Sequence, residues 1–281
     1  MSMISNIHTH SCYCDGKNTP EEMVQAALAQ GLTALGFSGH SYTPFDSYCP
    51  GMSPEKVQAY RTEIARLAKK YEGRIRLYTA IEMDSFTEPD SLSWDYRIGS
   101  IHFTHGQGRY YAIDGDAMTF QASLQDLFQN QFSLFLEDYL RRELEMFRTM
   151  KPEVIGHFDL YRKNNQALHY LDEEDPAYLS MVQDTLYTLI RQDALFEVNL
   201  GAMARGYMTD PYPAEPLLRF MQKEKARVII TTDCHDARYL TFHYDETVQY
   251  LKALGFPSMV VMVVCLYLLF PSSDSFSRAK L

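Results

Sequence analysis

RVIITTDCH, residues 227–235, is an apolar run that stops on two groups able to ligate a metal, Asp233 and His235. SNIHTH, residues 5–10, has the same build near the other end of the chain and stops on His8 and His10. Residues two apart on a β-strand point to one side, so each pair is able to reach a single ion. Two such strand ends become neighbours when the strands close into a barrel. Between them, further apolar runs end on or beside a potential ligand: residues 34–38 at His40, 74–81 at Glu82, 96–101 at His102 and 154–158 at His157. Asp15, followed by Gly16, lies on the first loop, and six of the nine histidines of the chain fall in this set. Packing needs alone do not produce that pattern. A polynuclear metal site on a barrel rim does, and such sites usually carry out hydrolysis.

Strand-like and helix-like patterns alternate throughout, the signature of an α/β architecture with parallel strands. Thr19-Pro20-Glu21-Glu22 opens a helix with a capping box and Pro at its first position, and Gly31 follows its end. Ser53-Pro54-Glu55 opens a second helix, to about Tyr71. Residues 114–150 have helical spacing, with Leu124, Leu127, Phe128, Phe132, Phe135, Leu136, Tyr139 and Leu140 on the pattern and its aromatic residues read as core. Strands are predicted over 195–199 and 227–232, and helices over 177–191, 214–225 and 241–254. Seven strands with intervening helices predict a TIM-like barrel, distorted or incomplete, with its site at the carboxyl ends of the strands. Residues 1–255 form the catalytic barrel in this reading. Residues 256–281 form a terminal strand and an apolar tail, whose stretch MVVMVVCLYLLF (259–270) is shorter than the ~20 residues of a membrane helix.

With 281 residues, 46% hydrophobic and 22% charged, the chain is composed like an ordinary globular enzyme. Its net charge of −10 argues against nucleic-acid partners, whose binding draws on Lys and Arg. A phosphate substrate is not excluded, because bound cations reverse the local field. Five cysteines, and a first strand that leaves no room for a cleaved leader, point to a reducing compartment, and a cytoplasmic location is expected. Cys234 is expected to turn into the core, and Cys12 and Cys14 to be bystanders. His105, His169 and His243 fall outside the ligand set.

The ordered motifs HTHSCYCDG (8–16), SGH (38–40), IEMD (81–84), GSIH (99–102), GHFD (156–159) and TDCH (232–235) resemble those of the PHP superfamily of polymerase and histidinol phosphatases. Length and motif spacing are most similar to the histidinol-phosphate phosphatases of histidine biosynthesis. The resemblance implies a distorted (β/α)7 barrel holding three divalent ions. His8, His10, Glu82 and Asp233 would hold one; Glu82 would bridge to a second, held by His102 and His157; Asp15, His40 and His235 would hold the third. Mixed imidazole and carboxylate ligation suits zinc, manganese or iron.

Hydrolysis of a phosphate monoester then follows, with a hydroxide held between two ions as nucleophile. Arg162 and Arg205 lie on loops at the right end of the barrel, and their planar forks match a phosphate. Both positions also resemble those of phosphate-binding arginines in histidinol phosphatases. Asn199 is expected to face the substrate, and Asp159 to serve as an outer partner of the ligands or as proton donor. The expected reaction is conversion of L-histidinol phosphate, a small-molecule ester, to L-histidinol and phosphate. Alternatives keep the metals but change the substrate to a nucleotide, a phosphotyrosine peptide or a nucleic-acid end, invoke an amidohydrolase, or make the ions a structural staple. No membrane partner is expected.

Overall fold

The expected alternation of strands and helices is present, but the sheet is built in two pieces. The computed structural model describes residues 4–88, 90–263 and 266–269. In chain order the strands are β1 (Ser5–Asn6), β2 (Ala34–Phe37), β3 (Arg76–Thr79), β4 (Ile81–Asp84), β5 (Arg97–Ser100) and β6 (Phe103–Gly106). They continue as β7 (Arg109–Ala112), β8 (Val154–Ile155), β9 (Leu195–Asn199), β10 (Arg227–Thr231), β11 (Val260–Val263) and β12 (Leu266–Leu269). One parallel sheet has the order β1-β2-β3, and a second runs β12-β11-β10-β9-β8-β5-β4, parallel except for its last pair, β11 with β12.

The two sheets meet at their carboxyl ends through single-residue parallel bridges, Thr9 with Cys234 and His40 with Glu82. Backbone hydrogen bonds hold each junction: His10 N–H donates to Cys234 O (2.9 Å) and Cys234 N–H to His8 O (3.0 Å). At the other junction, Ser41 N–H donates to Glu82 O (2.8 Å) and Glu82 N–H to Gly39 O (3.1 Å). The predicted strand over 74–81 is therefore two strands. The chain steps from one sheet to the other at Ala80, whose N–H bonds Phe37 O and whose carbonyl accepts from the Tyr60 hydroxyl.

The helices start where their caps predict. Thr19 and Glu22 form a reciprocal capping box ahead of Pro20–Ala29, and Ser53 caps Pro54–Lys70. The Phe-rich stretch is two helices, Ala117–Phe128 and Phe132–Met150, and Phe120, Leu124, Phe135, Leu136, Tyr139 and Leu140 are buried in one core. Hairpin β6–β7 was not anticipated. Its turn has positive φ at both central residues, Gln107 (52°) and Gly108 (74°), the geometry whose twist matches a hairpin.

The expected terminal strand is β11, where Val260 pairs with Ile229 and is buried. Residues 264–265 and 270–281 of the apolar tail lie outside the described residues. Among the described residues no helix is long and apolar enough to cross a membrane. Cys234 is buried in the core, as expected.

Below the rim, Ile7, Tyr78, Tyr96, Ile98, Ile229 and Val260 pack as one apolar layer. The Tyr96 hydroxyl donates to Ile7 O and occupies the space over Gly36. A Cβ at Gly36 would lie 2.9 Å from Tyr96 Cζ and 3.1 Å from Ile7 Cα, so only glycine fits without displacing the ring. Gly36→Ala should cost about 1–3 kcal/mol by overpacking, read as a lowered Tm, and Gly36→Ala with Tyr96→Phe should recover part of it. A single variant that melts with the wild type would contradict this packing.

Candidate metal centre

All nine predicted ligand residues converge on the junction between the two sheets. His8 and His10 flank the Thr9 bridge and are fully buried. The loop after them folds back so closely that a Cβ at Gly16 would sit 2.5 Å from the His10 carbonyl carbon, and this turn brings Asp15 to the rim. Asp233 does not continue its strand. Its φ is +44°, in the left-handed region that Asp tolerates better than most residues, and the turn aims its carboxylate inward. Gly201 gives it room, since a Cβ there would lie 2.8 Å from the Asp233 side chain.

Glu82 is the centre of the arrangement. Its Oε1 lies 3.0 Å from His157 Nε2 and 3.2 Å from His102 Nε2, and accepts from Ser100 Oγ at 2.7 Å. Its Oε2 lies 3.2 Å from His8 Nε2, 3.5 Å from His10 Nε2 and 3.0 Å from His40 Nδ1. Asp233 Oδ1 is 3.2 Å from His10 Nε2 and 3.6 Å from His8 Nε2. Asp15 reaches His235 Nε2 at 3.0 Å, His10 Nδ1 at 3.4 Å and His40 Nε2 at 3.6 Å.

These groups fit a set of cations. Among the described residues, His8 Nε2, His10 Nε2 and Glu82 Oε2 are buried without a hydrogen-bond partner, although buried polar atoms are otherwise almost always paired. Donor atoms lie within 4.8 Å of one another in three groups: His8, His10 and Asp233; His40, Glu82 and His102; and His10, Asp15, His40 and His235. His157 joins through Glu82.

The protein atoms alone hold protons where ions would sit. Burial would lower the His8 pKa, but the charges of Glu197, Glu82 and Asp233 prevail and raise it to about 10. For His102, burial is likewise outweighed, by Glu82 and Asp84, again to about 10. Burial raises and imidazoles lower the pKa of Glu82, leaving it well below the usual range. For Asp233 burial is opposed first by Arg205 and then by His8, with the same result.

The remaining predicted residues divide. Arg205 lies at the rim, its guanidinium 3.0 Å from Asp233 Oδ2, 3.0 Å from Asp233 O and 3.1 Å from His235 Nδ1, with a third of the side chain exposed. Arg162, expected beside it on a phosphate, is instead buried among Asp159, Glu173 and Asp210 and donates to Pro211 O. Those acceptors occupy its fork, so its contacts are those of a loop brace. Asn199, expected to face the substrate, does not line the cleft that opens over His40 and His102. It is fully buried, its amide donating to Glu197 Oε2 (2.9 Å) and accepting from Gly201 N (2.8 Å). Asp159 accepts from Ala214 N at 2.8 Å, and burial, opposed by Arg162, raises its pKa to about 6. None of its hydrogen bonds or ion pairs among the described residues goes to a predicted ligand. His105 packs with Tyr110 and Phe86 on the hairpin.

Sequence reasoning missed three side chains. Glu197 accepts from His8 Nδ1 at 2.6 Å and from the His157 backbone N–H at 3.0 Å. Asp84 accepts from the His102 N–H at 2.8 Å. A signal existed for both: a carboxylate inside a buried apolar strand, two residues from another polar group. Lys163 lines a cleft of about 910 Å³ that opens over His40 and His102, facing Asp46, Asp114 and Asp116 on its wall.

The PHP domain family matches residues 6–200 of the chain. A probable histidinol-phosphatase of Schizosaccharomyces pombe is 24% identical over 284 residues, covering 93% of this chain and 90% of that protein. In fold, the chain is similar to the putative histidinol phosphatase of Listeria monocytogenes (TM-score 0.74, 18% identity, 86% of this chain and 99% of that one). It is also similar to the histidinol phosphate phosphatase of Lactococcus lactis solved with zinc, L-histidinol and phosphate (TM-score 0.65, 19% identity, 91% and 95%). With its motifs gathered at one rim and more than half of its length matched, the chain belongs to the PHP domain family.

Proposed function

We propose that this chain is a phosphomonoesterase that hydrolyses L-histidinol phosphate to L-histidinol and phosphate with three divalent ions. The observation that carries the reading is the convergence of imidazoles and carboxylates on Glu82 beneath an open cleft. The names of the relatives supply the substrate. His8, His10, Glu82 and Asp233 hold one ion, Glu82, His102 and His157 a second, and Asp15, His40 and His235 the third. Zinc, manganese and iron all suit these donors, and zinc has the precedent of the Lactococcus lactis protein. Such ions supply a nucleophile at neutral pH and neutralise phosphoryl oxygens.

The protein's own groups complete the chemistry. Arg205 is the phosphate fork, steadied at the rim by its ion pair with Asp233 and left a third exposed. Asp46, Asp114 and Asp116 suit the cationic end of histidinol, and Lys163, whose ammonium donates to Asp114 O, lines the same cleft. Asp159 and Arg162 brace the loop at 210–214 rather than touch the ester.

A distorted (β/α)7 barrel is the architecture that best describes the ring, supported by the bridges at Thr9–Cys234 and His40–Glu82. Residues 1–255 are its catalytic unit in this reading, with the segment after them supplying the terminal strand. A cytoplasmic biosynthetic enzyme is the setting it implies.

Phosphate release should be measured on histidinol phosphate beside nucleotides, phosphotyrosine and p-nitrophenyl phosphate, with metal content determined on the same sample. A kcat/KM for histidinol phosphate far above the other esters is expected; low, flat activity on metal-loaded protein would overturn the substrate and leave the phosphoesterase. Arg205→Ala should raise KM and lower kcat/KM about 10- to 100-fold, the worth of a charged hydrogen bond. Unchanged kinetics would remove Arg205 from the phosphate site. His157→Ala and Asp233→Ala should lose activity together with bound metal.

Zinc binding at pH 7 should release protons, since His8 and His102 are held up to about 10 without metal. The sign follows: their charged pairs stabilise the metal-free fold fully below about pH 6.5, and this is lost as pH rises through about 10, while metal affinity rises over the same range. Calorimetry in buffers of different ionisation enthalpy measures the release, and none at all would contradict the assignment.

A further inference from the structure

Glu197 is buried at the base of the rim, with its carboxylate shared among three strand ends. Oε1 accepts from His8 Nδ1 at 2.6 Å, while Oε2 accepts from the His157 backbone N–H at 3.0 Å and from Asn199 Nδ2 at 2.9 Å. Asn199 is itself anchored by Gly201 N, so the carboxylate has little freedom to turn. The bond to Nδ1 leaves His8 Nε2 as the free ring nitrogen, and it is this atom that points at Glu82 Oε2 and Asp233 Oδ1. His157 has no such partner among the described residues: its Nδ1 is buried and unbonded there. Its backbone is fixed by the same Glu197 instead.

We propose that Glu197 is a positioning residue of the metal centre, which fixes His8 as the Nδ1–H tautomer and ties the His157 strand end to it. An imidazole whose second nitrogen donates to a carboxylate is more basic and better oriented toward a metal, and loss of such a partner typically weakens metal binding by about 10- to 100-fold. The inference rests on the reading of this site as a metal centre. Asn199, expected at the substrate, acts one step further back, holding Glu197.

The test is competition for zinc against a chromogenic chelator, on wild type and on Glu197→Gln. The glutamine keeps the shape, but it loses the charge and cannot accept all three hydrogen bonds. A 10- to 100-fold weaker zinc affinity is expected, with partial recovery in Glu197→Asp; equal affinity for Glu197→Gln and wild type overturns the proposal. Wild type that binds no zinc overturns the metal reading itself, so the two failures are distinguishable. Should the variants not fold, long-range 15N–1H NMR of the zinc-loaded wild type decides alone. His8 bound through Nε2 with a protonated Nδ1 supports the assignment, and His8 bound through Nδ1 overturns it.

Discussion

One buried carboxylate organises this molecule. Glu82 is almost wholly enclosed, yet His8, His10, His40, His102 and His157 all present a ring nitrogen to it within 3.5 Å. Burying a charge in an apolar interior is very costly unless it is paired. Here the pairing has to come from imidazolium protons or from cations, and the strands that deliver those imidazoles have to end at one place. The chain-terminal motifs, the loop at Asp15 and the rim bridges all serve that single requirement.

The requirement also explains where regular structure gives way. Across Ala80 the chain changes partners, β3 pairing with β2 and β4 with β5, while Glu82 keeps the register of β2 through its own bridge to His40 at the junction. Asp233 takes a left-handed backbone conformation one residue before the Thr9–Cys234 bridge, so its carboxylate turns inward while Cys234 enters the apolar core. Departures of this kind cost free energy and persist where the surroundings over-determine them. Their coincidence with the ligand positions is what a functional rim predicts.

Much of this was legible beforehand, because it rests on local rules. An apolar run that stops on histidine or a carboxylate, a capping box at Thr19 and a helical Phe-Leu pattern each carry their meaning within a few residues. What escaped depends on partners distant in sequence. Nothing near Ala80 announces a change of sheet, and hairpin β6–β7 hides its turn in Gly106-Gln107-Gly108 directly after a ligand. Glu197 lies inside the strand predicted over 195–199, two residues from Asn199. Its role follows only from the approach of His8, 189 residues earlier in the chain.

The two arginines show why residue type and loop position were insufficient. Arg162 and Arg205 both follow a strand end at the correct face. Arg162 sits among Asp159, Glu173 and Asp210, acceptors enough to occupy its whole fork, whereas the ion pair of Arg205 is with Asp233, itself committed to the histidines. An arginine is available to a ligand only in so far as the protein leaves its donors unused. The same accounting governs the cleft. Divalent ions held among Asp15, Glu82 and Asp233, as proposed, would make a positive centre inside an acidic chain, while Asp46, Asp114 and Asp116 place negative charge on the cleft wall. On the proposed reading, an ester with an anionic head and a cationic tail would satisfy both fields in a single orientation, the one that presents phosphorus to the centre.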